Sequence, residues 1–271
     1  MNAELPDSLN HRLMGWFAVA LSKELKRNQV MHGVLADTPY CLSRSEVGMV
    51  QFNNKTDTIV ERNGIIYAWH HPQGIPPSWQ VPILDETNWS AFRYYQLTAR
   101  THPQEVYENS IDLSHFPIVH GFKQITLEQS PVFDKHCMTV RHRIRRKNPF
   151  IPRGKALSAE FEVRLHGLGC AHTHINVSVL KMQVRMVVVT TPIHTGHVKI
   201  RLGVAISNHL KLPLKFLFLP ILHWAIHKNI VRDFCQDIPI WENKCFHFTP
   251  LLVKGDGPIM KFRHWCQQFK Y

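Results

Sequence analysis

Two histidines, His115 and His120, stand five residues apart, and an aspartate, Asp112, comes three residues before the first. Positions three apart on a helix are neighbours, so Asp112 and His115 are predicted to share one helix face. Because Pro117 lacks a backbone donor and disfavours helical geometry at Phe116, the helix is predicted to end between the histidines. A helix end followed by a turn can aim both imidazoles at one point, which a metal site requires.

A third candidate ligand, Asp237, comes from the C-terminal part of the chain. It closes a stripe whose spacings of four, four and three are those of a helix packed against a core: Ile226, Ile230, Phe234 and Asp237. A core-facing carboxylate is costly unless it is paired or coordinated. Two histidines and one carboxylate hold non-haem Fe(II) on one face and leave positions open for oxygen. The alternative is a pair of surface histidines and an N-capping or salt-bridged aspartate.

Composition favours an ordinary globular chain that stays inside the cell. The 271 residues are 44% hydrophobic, which suits one large or two modest domains. None of the six cysteines forms a CxxC pair, and the apolar run from Leu13 to Leu21 is too short for a signal peptide. Reduced thiols and a cytoplasmic location are therefore expected.

The net charge of +12 predicts an anionic partner or surface. The densest basic run alternates along Arg141, Arg143 and Arg145 and continues to Lys155, which indicates one solvated strand face. Because no zinc-finger spacing, RNA-binding motif or aromatic-basic ladder accompanies it, nucleic acid is not the expected partner. An acidic electron-transfer protein or an anionic membrane surface is the preferred interpretation.

A second feature bears on membrane contact. The segment Leu210–Ile226 is strongly apolar, yet lysines and prolines interrupt it. A spanning helix needs about 20 uninterrupted apolar residues, so this segment is not predicted to span. One interpretation is a loop and the start of a helix, packed on the sheet. The other is an interfacial flap that makes peripheral contact with a membrane and lets a hydrophobic substrate enter.

The pattern of strands and helices predicts an α+β fold. Short strand patterns fill residues 13–70, and a proline-rich connector follows at residues 72–82. A helix is predicted over residues 103–113, successive strands over residues 157–207, and a second helix from about Trp224. An antiparallel sheet wrapped on a long C-terminal helix is the expected arrangement.

The run from Glu108 to Gly121, which reads Glu-Asn-x-x-Asp-x-x-His-Phe-x-x-Val-His-Gly, resembles the iron-binding motif of Rieske-type oxygenases. It looks closest to the branch that contains bacterial ketosteroid hydroxylases and animal cholesterol 7-desaturases. Three later segments resemble the same branch in the same order: Gln236–Trp241, Lys254–Ile259 and Arg263–Phe269. The resemblance therefore reaches from about residue 60 to the end of the sequence.

Carried over residue by residue, the resemblance implies a catalytic iron site. Its mononuclear Fe(II) would have three protein ligands: His115, His120 and Asp237. Asp112 matches the family's aspartate that links the iron to an electron-delivering cluster, and Asn109 matches an asparagine beside that site. The implied fold is a helix-grip, or START-like, catalytic domain at residues 83–271, with a hydrophobic cavity between helix and sheet.

Residues 1–82 resemble a Rieske-like β domain that is truncated. Gly15–Ala20 looks like its opening strand and Glu61–His70 like its closing strand. A Rieske cluster needs two cysteines on one iron and two histidines on the other, and the family places them where this chain has Gly48 to Asp57. That stretch contains neither residue type, so the chain is not expected to bind a [2Fe–2S] cluster of its own.

The resemblance implies an oxidoreductase that uses O2 and externally supplied electrons to hydroxylate or desaturate a hydrophobic, steroid-like substrate. Because the cluster ligands are missing, the electrons would come from a cluster-bearing partner, such as a full-length homologous subunit in a mixed oligomer. The rival interpretation is a catalytically retired subunit that binds a hydrophobic ligand or regulates a relative. A third is a splice form or gene-model artefact of a complete oxygenase.

Overall fold

The computed structural model describes residues 12–53, 58–146, 157–178, 181–207, 215–244, 250–253 and 256–271. Parts of four sequence features lie outside these stretches. They are the end of the basic run, the start of the apolar segment at Leu210, residues 54–57 where the family's cluster segment would fall, and Lys254 with Gly255 of the C-terminal resemblance.

Short strands make two small antiparallel sheets in the N-terminal part. The strands are β1 (Gly15–Leu21), β2 (Gln29–Leu35), β3 (Thr38–Arg44), β4 (Val50–Phe52), β5 (Ile59–Arg62) and β6 (Ile65–His70). One sheet has the order β1-β6-β5 and the other the order β2-β3-β4. Strand β1 is buried along its whole length. The strand patterns predicted over residues 13–70 are thus confirmed, while the division of the chain into domains at residue 82 stays a prediction.

Longer strands form one large antiparallel sheet. They are β7 (Arg93–Arg100), β8 (Gln124–Asp134), β9 (Cys137–Arg146), β10 (Leu157–His166), β11 (Cys170–Val177), β12 (Met182–Pro192) and β13 (His197–Ile206). Their order is β7-β13-β12-β11-β10-β9-β8, so most neighbours in the sheet are also consecutive in the chain. Consecutive antiparallel strands need only short turns between them. The strands predicted over residues 157–207 are confirmed.

Helices cover one face of this sheet. They are α1 (Pro103–Glu108), α2 (His115–Val119), α3 (Lys215–Cys235), α4 (Ile238–Asn243) and α5 (Ile259–Cys266). The apolar stripe of α3, including Ile226 and Ile230, packs on the sheet beside Ile175, Val184 and Leu202. Antiparallel sheets with packed helices make the α+β fold that the sequence predicted. In the part of the chain that the structure describes, no helix is both long and apolar enough to cross a bilayer.

The start and end of α3 differ from the prediction. The helix begins at Lys215, well before Trp224, and it ends at Cys235. The predicted stripe Ile226-Ile230-Phe234 lies on it and faces the sheet, as expected. Asp237, the predicted last member of that stripe, lies beyond the helix end, immediately before α4.

The exposed arginines of β9 are paired with glutamates. Arg141 and Arg143 are exposed while His142 between them is buried, which confirms the predicted solvated strand face. Arg141 Nη2 lies 2.7 Å from Glu162 Oε2, and Arg143 Nη2 lies 2.6 Å from Glu128 Oε1. Exposed ion pairs contribute little to stability, but these two neutralise the charge that the arginines would otherwise present.

Two histidines, the buried His172 and the partly buried His166, lie where the small sheet of β1 meets the large sheet. His172 Nε2 lies 3.5 Å from Cys170 Sγ, which is itself 3.6 Å from the Tyr67 hydroxyl of β6. The His166 ring lies 5.4 Å from the His172 ring, measured between centroids. Burial lowers the pKa of His172 to about 3 and the pKa of His166 to about 4. Both imidazoles are therefore neutral at neutral pH.

This pair makes the fold sensitive to acid. The unfolded chain protonates both histidines near their ordinary pKa of 6.5, whereas the folded chain resists protonation down to about 4. Stability is therefore fully present above pH 6.5 and falls as the pH drops below it, because the unfolded state then binds more protons. We expect His172→Gln to make this fall in the free energy of unfolding shallower by about 1.4 kcal/mol per pH unit.

Urea unfolding followed by circular dichroism, at a series of pH values below neutral, measures that slope. The matched control is His32→Gln, because His32 is exposed. The control should keep the wild-type slope. Equal slopes for wild type and His172→Gln would contradict the assignment.

Candidate metal centre

The first segment that positions the site is α1. Its N-cap residue His102 accepts the Gln104 N–H at Nδ1, 3.1 Å away, and Pro103 occupies the first helical position, where proline is favoured. The helix ends at Glu108, not near Leu113 as predicted. Turns then lead from α1 to α2, so Asp112 does not share a helix face with the first histidine.

Asp112 instead holds the start of α2 through the backbone. Its Oδ1 accepts the N–H of Ser114 at 3.0 Å, the Ser114 hydroxyl at 2.8 Å and the N–H of His115 at 3.1 Å. Amide groups at the beginning of a helix have no partner within the helix, and a carboxylate is a favoured acceptor for them. Asp112 therefore fixes the backbone of His115, which corrects the predicted side-by-side arrangement.

Helix α2 places the two histidines at its two ends. His115 is its first residue, His120 follows its last, and Gly121 then turns the chain with a φ of +64°. Pro117 lies in the first turn, where a missing N–H costs no helical hydrogen bond. The prediction that Pro117 ends a helix between the histidines is therefore wrong. The imidazoles still converge, with their Nε2 atoms 3.0 Å apart.

Asp237 completes the group from the other side of the site. It occupies the N-cap position of α4, but its side chain makes no capping hydrogen bond. Its Oδ1 lies 3.1 Å from His115 Nε2 and 3.5 Å from His120 Nε2. The predicted burial of this carboxylate is confirmed at 4% exposure, whereas its predicted place on the long helix is wrong. The histidines are also buried rather than on the surface, with side chains 5% and 9% exposed.

These three side chains fit a metal ion. Their ligand atoms all lie within 4.8 Å of one another, the one such group found among the described residues. Ligands bound at roughly 2.1 Å and at right angles stand about 3.0 Å apart, close to the distances observed here. No hydrogen bond of good geometry reaches Asp237 Oδ1 within the described structure. A buried carboxylate oxygen without a hydrogen bond is costly, and a cation removes that cost.

The surroundings hold the group in place. Gln236 Oε1 lies 3.0 Å from His120 Nδ1 and can accept its proton, which leaves Nε2 free to bind a metal. The rings of Phe116 and Phe122 lie 5.6 Å from the His115 ring and 5.9 Å from the His120 ring respectively. The role of Gln236 as a hydrogen-bond partner of His120 was not predicted from the sequence, although Gln236 precedes Asp237 directly in the matched segment.

A third histidine, His142, lies close to the site, with its ring 5.9 Å from the Phe116 ring, but its imidazole has another partner. Its Nε2 lies 2.6 Å from the Ser110 carbonyl oxygen, and burial lowers its pKa. The alternation along β9 would have placed it inward, which is the signal that could have found it. Asn109 is the C-cap residue of α1 and is not part of the ligand group, so its predicted role near the iron stays a prediction.

A buried ionic cluster anchors α1 behind the site. Arg263 Nε lies 2.5 Å from Glu108 Oε2, and Arg263 Nη2 lies 3.2 Å from Glu105 Oε1. Lys244 Nζ adds a contact of 2.8 Å to Glu108 Oε1. Burial raises the pKa of Glu105, and the charges of Lys244 and Arg263 oppose that rise. The cluster ties α1 to α5 and to the residue after α4, so elements from both sides of the site are held together.

The chain is similar to sterol-modifying proteins over most of its length. It is 27% identical to a cholesterol 7-desaturase of Xenopus laevis over 242 residues, which cover 79% of this chain and 51% of that protein. It is 23% identical to the oxygenase component of a 3-ketosteroid-9-alpha-monooxygenase of Rhodococcus rhodochrous, covering 78% of this chain and 55% of that protein. The chain thus spans about half the length of the curated relatives it matches.

Solved structures share its fold. Dicamba monooxygenase bound to dicamba superposes with a TM-score of 0.69 at 14% identity, covering 96% of this chain and 98% of that one. NdmA of Pseudomonas putida CBB5 with caffeine superposes with a TM-score of 0.62 at 13% identity, covering 93% and 89%. Residues 68–270 match the family described as "3-Ketosteroid 9alpha-hydroxylase C-terminal domain". The chain therefore belongs to that family, within the Rieske-type oxygenases.

Proposed function

We propose that the chain is a non-haem iron oxygenase that hydroxylates or desaturates a hydrophobic, steroid-like substrate with O2 and supplied electrons. The observation that carries the proposal is the convergence of His115, His120 and Asp237 on one buried point. Fe(II) held there would supply the activation of O2 and the oxidation of an unactivated C–H bond.

Each side chain around this point has a separate role in binding the iron or in positioning its ligands. His120 donates its Nδ1 proton to Gln236 and directs Nε2 inward, while Asp237 brings the negative charge that a divalent cation needs. Asp112 fixes the start of α2, and therefore the position of His115. The phenyl rings of Phe116 and Phe122 pack beside the imidazoles and form an apolar side of the site.

The substrate class follows from the face of the sheet that α3 covers. Phe161, Met186 and Val188 lie on that face and are only partly buried, as is Leu222 of α3 opposite them. An apolar surface between a sheet and a helix suits a flat lipid, and the relatives are named for cholesterol and a 3-ketosteroid. We assign this arrangement to a helix-grip, START-like catalytic domain at residues 83–271.

Electrons would come from another protein. The cysteines and histidines of a Rieske cluster are missing between Gly48 and Asp57, so the truncated β domain at residues 1–82 is proposed to hold no cluster. A cluster-bearing partner, such as a full-length homologous subunit in a mixed oligomer, would deliver them near Asp112. The same missing ligands favour a second candidate function: a catalytically retired subunit that binds a hydrophobic ligand or regulates a relative.

Iron content tests the ligand assignment. Replacing His115, His120 or Asp237 by alanine should lower the iron bound per chain at least about tenfold, because each change removes a direct ligand. Elemental analysis of anaerobically purified protein measures the iron, and circular dichroism reports whether the sheet is folded. The control, exposed His32→Ala, should keep its iron. An unchanged iron content in all three variants would contradict the ligand assignment. A wild-type protein that contains no iron would favour the catalytically retired subunit.

The proposed lack of a cluster is tested by reconstitution. Incubation with iron and sulfide, followed by reduction, should give no Rieske-type electron paramagnetic resonance signal, because residues 48–57 offer no ligand of the required kind. A cluster-bearing Rieske protein treated in parallel serves as the positive control. A signal at stoichiometric intensity would show that the N-terminal residues were misinterpreted.

Two substitutions separate the structural and electron-transfer roles of Asp112. Asp112→Asn keeps an acceptor for the N–H of His115, so iron content should stay near the wild-type value, whereas Asp112→Ala removes that acceptor and should lower it. If Asp112 also carries the electron route, the asparagine variant should stop making product with a supplied redox partner. Cholesterol and a 3-ketosteroid serve as substrate probes.

Iron loss in the asparagine variant would instead show that the carboxylate mainly supports His115. Wild-type turnover by that variant would exclude the electron route. If the wild type makes product with dithionite alone and gains nothing from any partner protein, delivery from another subunit is ruled out.

A further inference from the structure

One face of α3 carries large apolar side chains that the fold does not use. Phe218, Ile221 and Trp224 are 54%, 64% and 49% exposed, and their spacing of three places them along one side of the helix. The opposite side, with Leu222 and Ile226, already packs on the sheet. Exposing three neighbouring large apolar groups is costly in water, which marks the face as an interaction surface.

The same face continues into basic residues. Lys228 Nζ lies 4.6 Å from the Trp224 ring centroid. Arg232, one turn further, has a side chain that is 61% exposed and is paired with Asp233 at 3.3 Å, so the basic character of this face rests on Lys228. An apolar tip beside lysine and tryptophan is the arrangement of helices that lie in a membrane interface, where the rings enter the headgroup region and the cations meet phosphates.

The sequence that leads into α3, and α3 itself up to Arg232, contain no acidic residue; Asp233 lies in the last turn of the helix. No Asp or Glu occurs in the sequence between Glu162 and Asp233, while Lys211 and Lys215 come directly before the apolar residues. This charge distribution complements an anionic surface. It also disfavours the pairing of this face with the same face of a second copy, since like charges would then meet.

A groove lies beside the apolar tip. It has a volume of about 360 Å³ and runs between the start of β7 and α3; it is lined by Ser90, Ala91, Phe92, Arg93, Leu219, Pro220 and His223. Arg93 is exposed at this groove and adds a cation that can pair with a headgroup phosphate. An acyl chain or a sterol leaving a bilayer would meet an apolar wall here.

We propose that the face of α3 formed by Phe218, Ile221, Trp224 and Lys228 docks on an anionic lipid membrane. The three apolar side chains enter the bilayer interface, and Lys228 with Arg93 binds the headgroups. If the proposed oxygenase function holds, this docking brings the membrane that stores a sterol against the helix that covers the apolar face of the sheet. The docking itself requires neither iron nor turnover.

Vesicle flotation with the full chain tests the docking. Wild type should bind vesicles of phosphatidylcholine and phosphatidylserine in a two-to-one ratio, should bind pure phosphatidylcholine less, and should be released by high salt. The double variant Ile221→Gln with Trp224→Gln should lower the partition coefficient about tenfold or more, and Lys228→Gln about fivefold. Glutamine is a good helix former and the replaced residues are exposed, so the core is untouched.

The matched control is Ile83→Gln, which removes an equally exposed isoleucine (76%) away from α3 and should bind like wild type. Brominated phospholipids, which quench only fluorophores at the interface, should quench wild-type tryptophan emission and thus report insertion without any variant. Three results would overturn the proposal: no binding of wild type to the anionic vesicles, equal binding of wild type and double variant, or a lipid-free oligomer that the double variant dissociates.

Discussion

The buried contact between Asp237 and the two histidines is the constraint around which the local structure is built. A carboxylate at 4% exposure loses most of its hydration, and among the described residues Asp237 Oδ1 has the two imidazole nitrogens beside it but no hydrogen bond of good geometry. Two features bring these atoms together: the break between α3 and α4, where Asp237 lies, and the short helix α2, which has a histidine at each end. A continuous helix through residue 237 would have kept the carboxylate away from His115. The candidate site therefore depends on two helix ends as much as on the three side chains that converge there.

Charge pairing holds those helix ends in position. Arg263 and Lys244 neutralise the buried carboxylate of Glu108, and so fix α1 against the C-terminal helices. Asp112 then captures the first amides of α2. Removing one partner from a buried ion pair leaves an uncompensated charge and typically costs about 3–5 kcal/mol, so α1 cannot shift freely. Glu108 and Asp112 belong to the same motif as the histidines, and both act on them at a distance through the backbone.

The sequence was sufficient to predict the strand pattern and which three side chains converge, but not their local geometry. Alternating residues predict strands well because one face of each strand is buried. Asp237 was predicted to be buried because it follows the apolar spacing of α3. Pro117 was interpreted as a helix breaker, although proline is equally compatible with a first helical turn. Which of the two applies depends on where the helix starts, and Asp112 decides that start by accepting amide protons. Which side chain accepts the first amide protons of a helix does not show in the periodicity of the sequence, so the start of α2 could not be predicted from it.

Positive charge is distributed unequally between the exposed face of the large sheet and helix α3. Two arginines of the basic run, Arg141 and Arg143, are paired with Glu162 and Glu128 on the large sheet, which offsets their charge. The sequence between Glu162 and Asp233, which includes α3 up to Arg232, contains basic residues but no acidic ones. That helix also separates the apolar face of the sheet from solvent. Net charge alone therefore points to the wrong surface, and the positions of the acidic residues identify the one where positive and apolar character coincide.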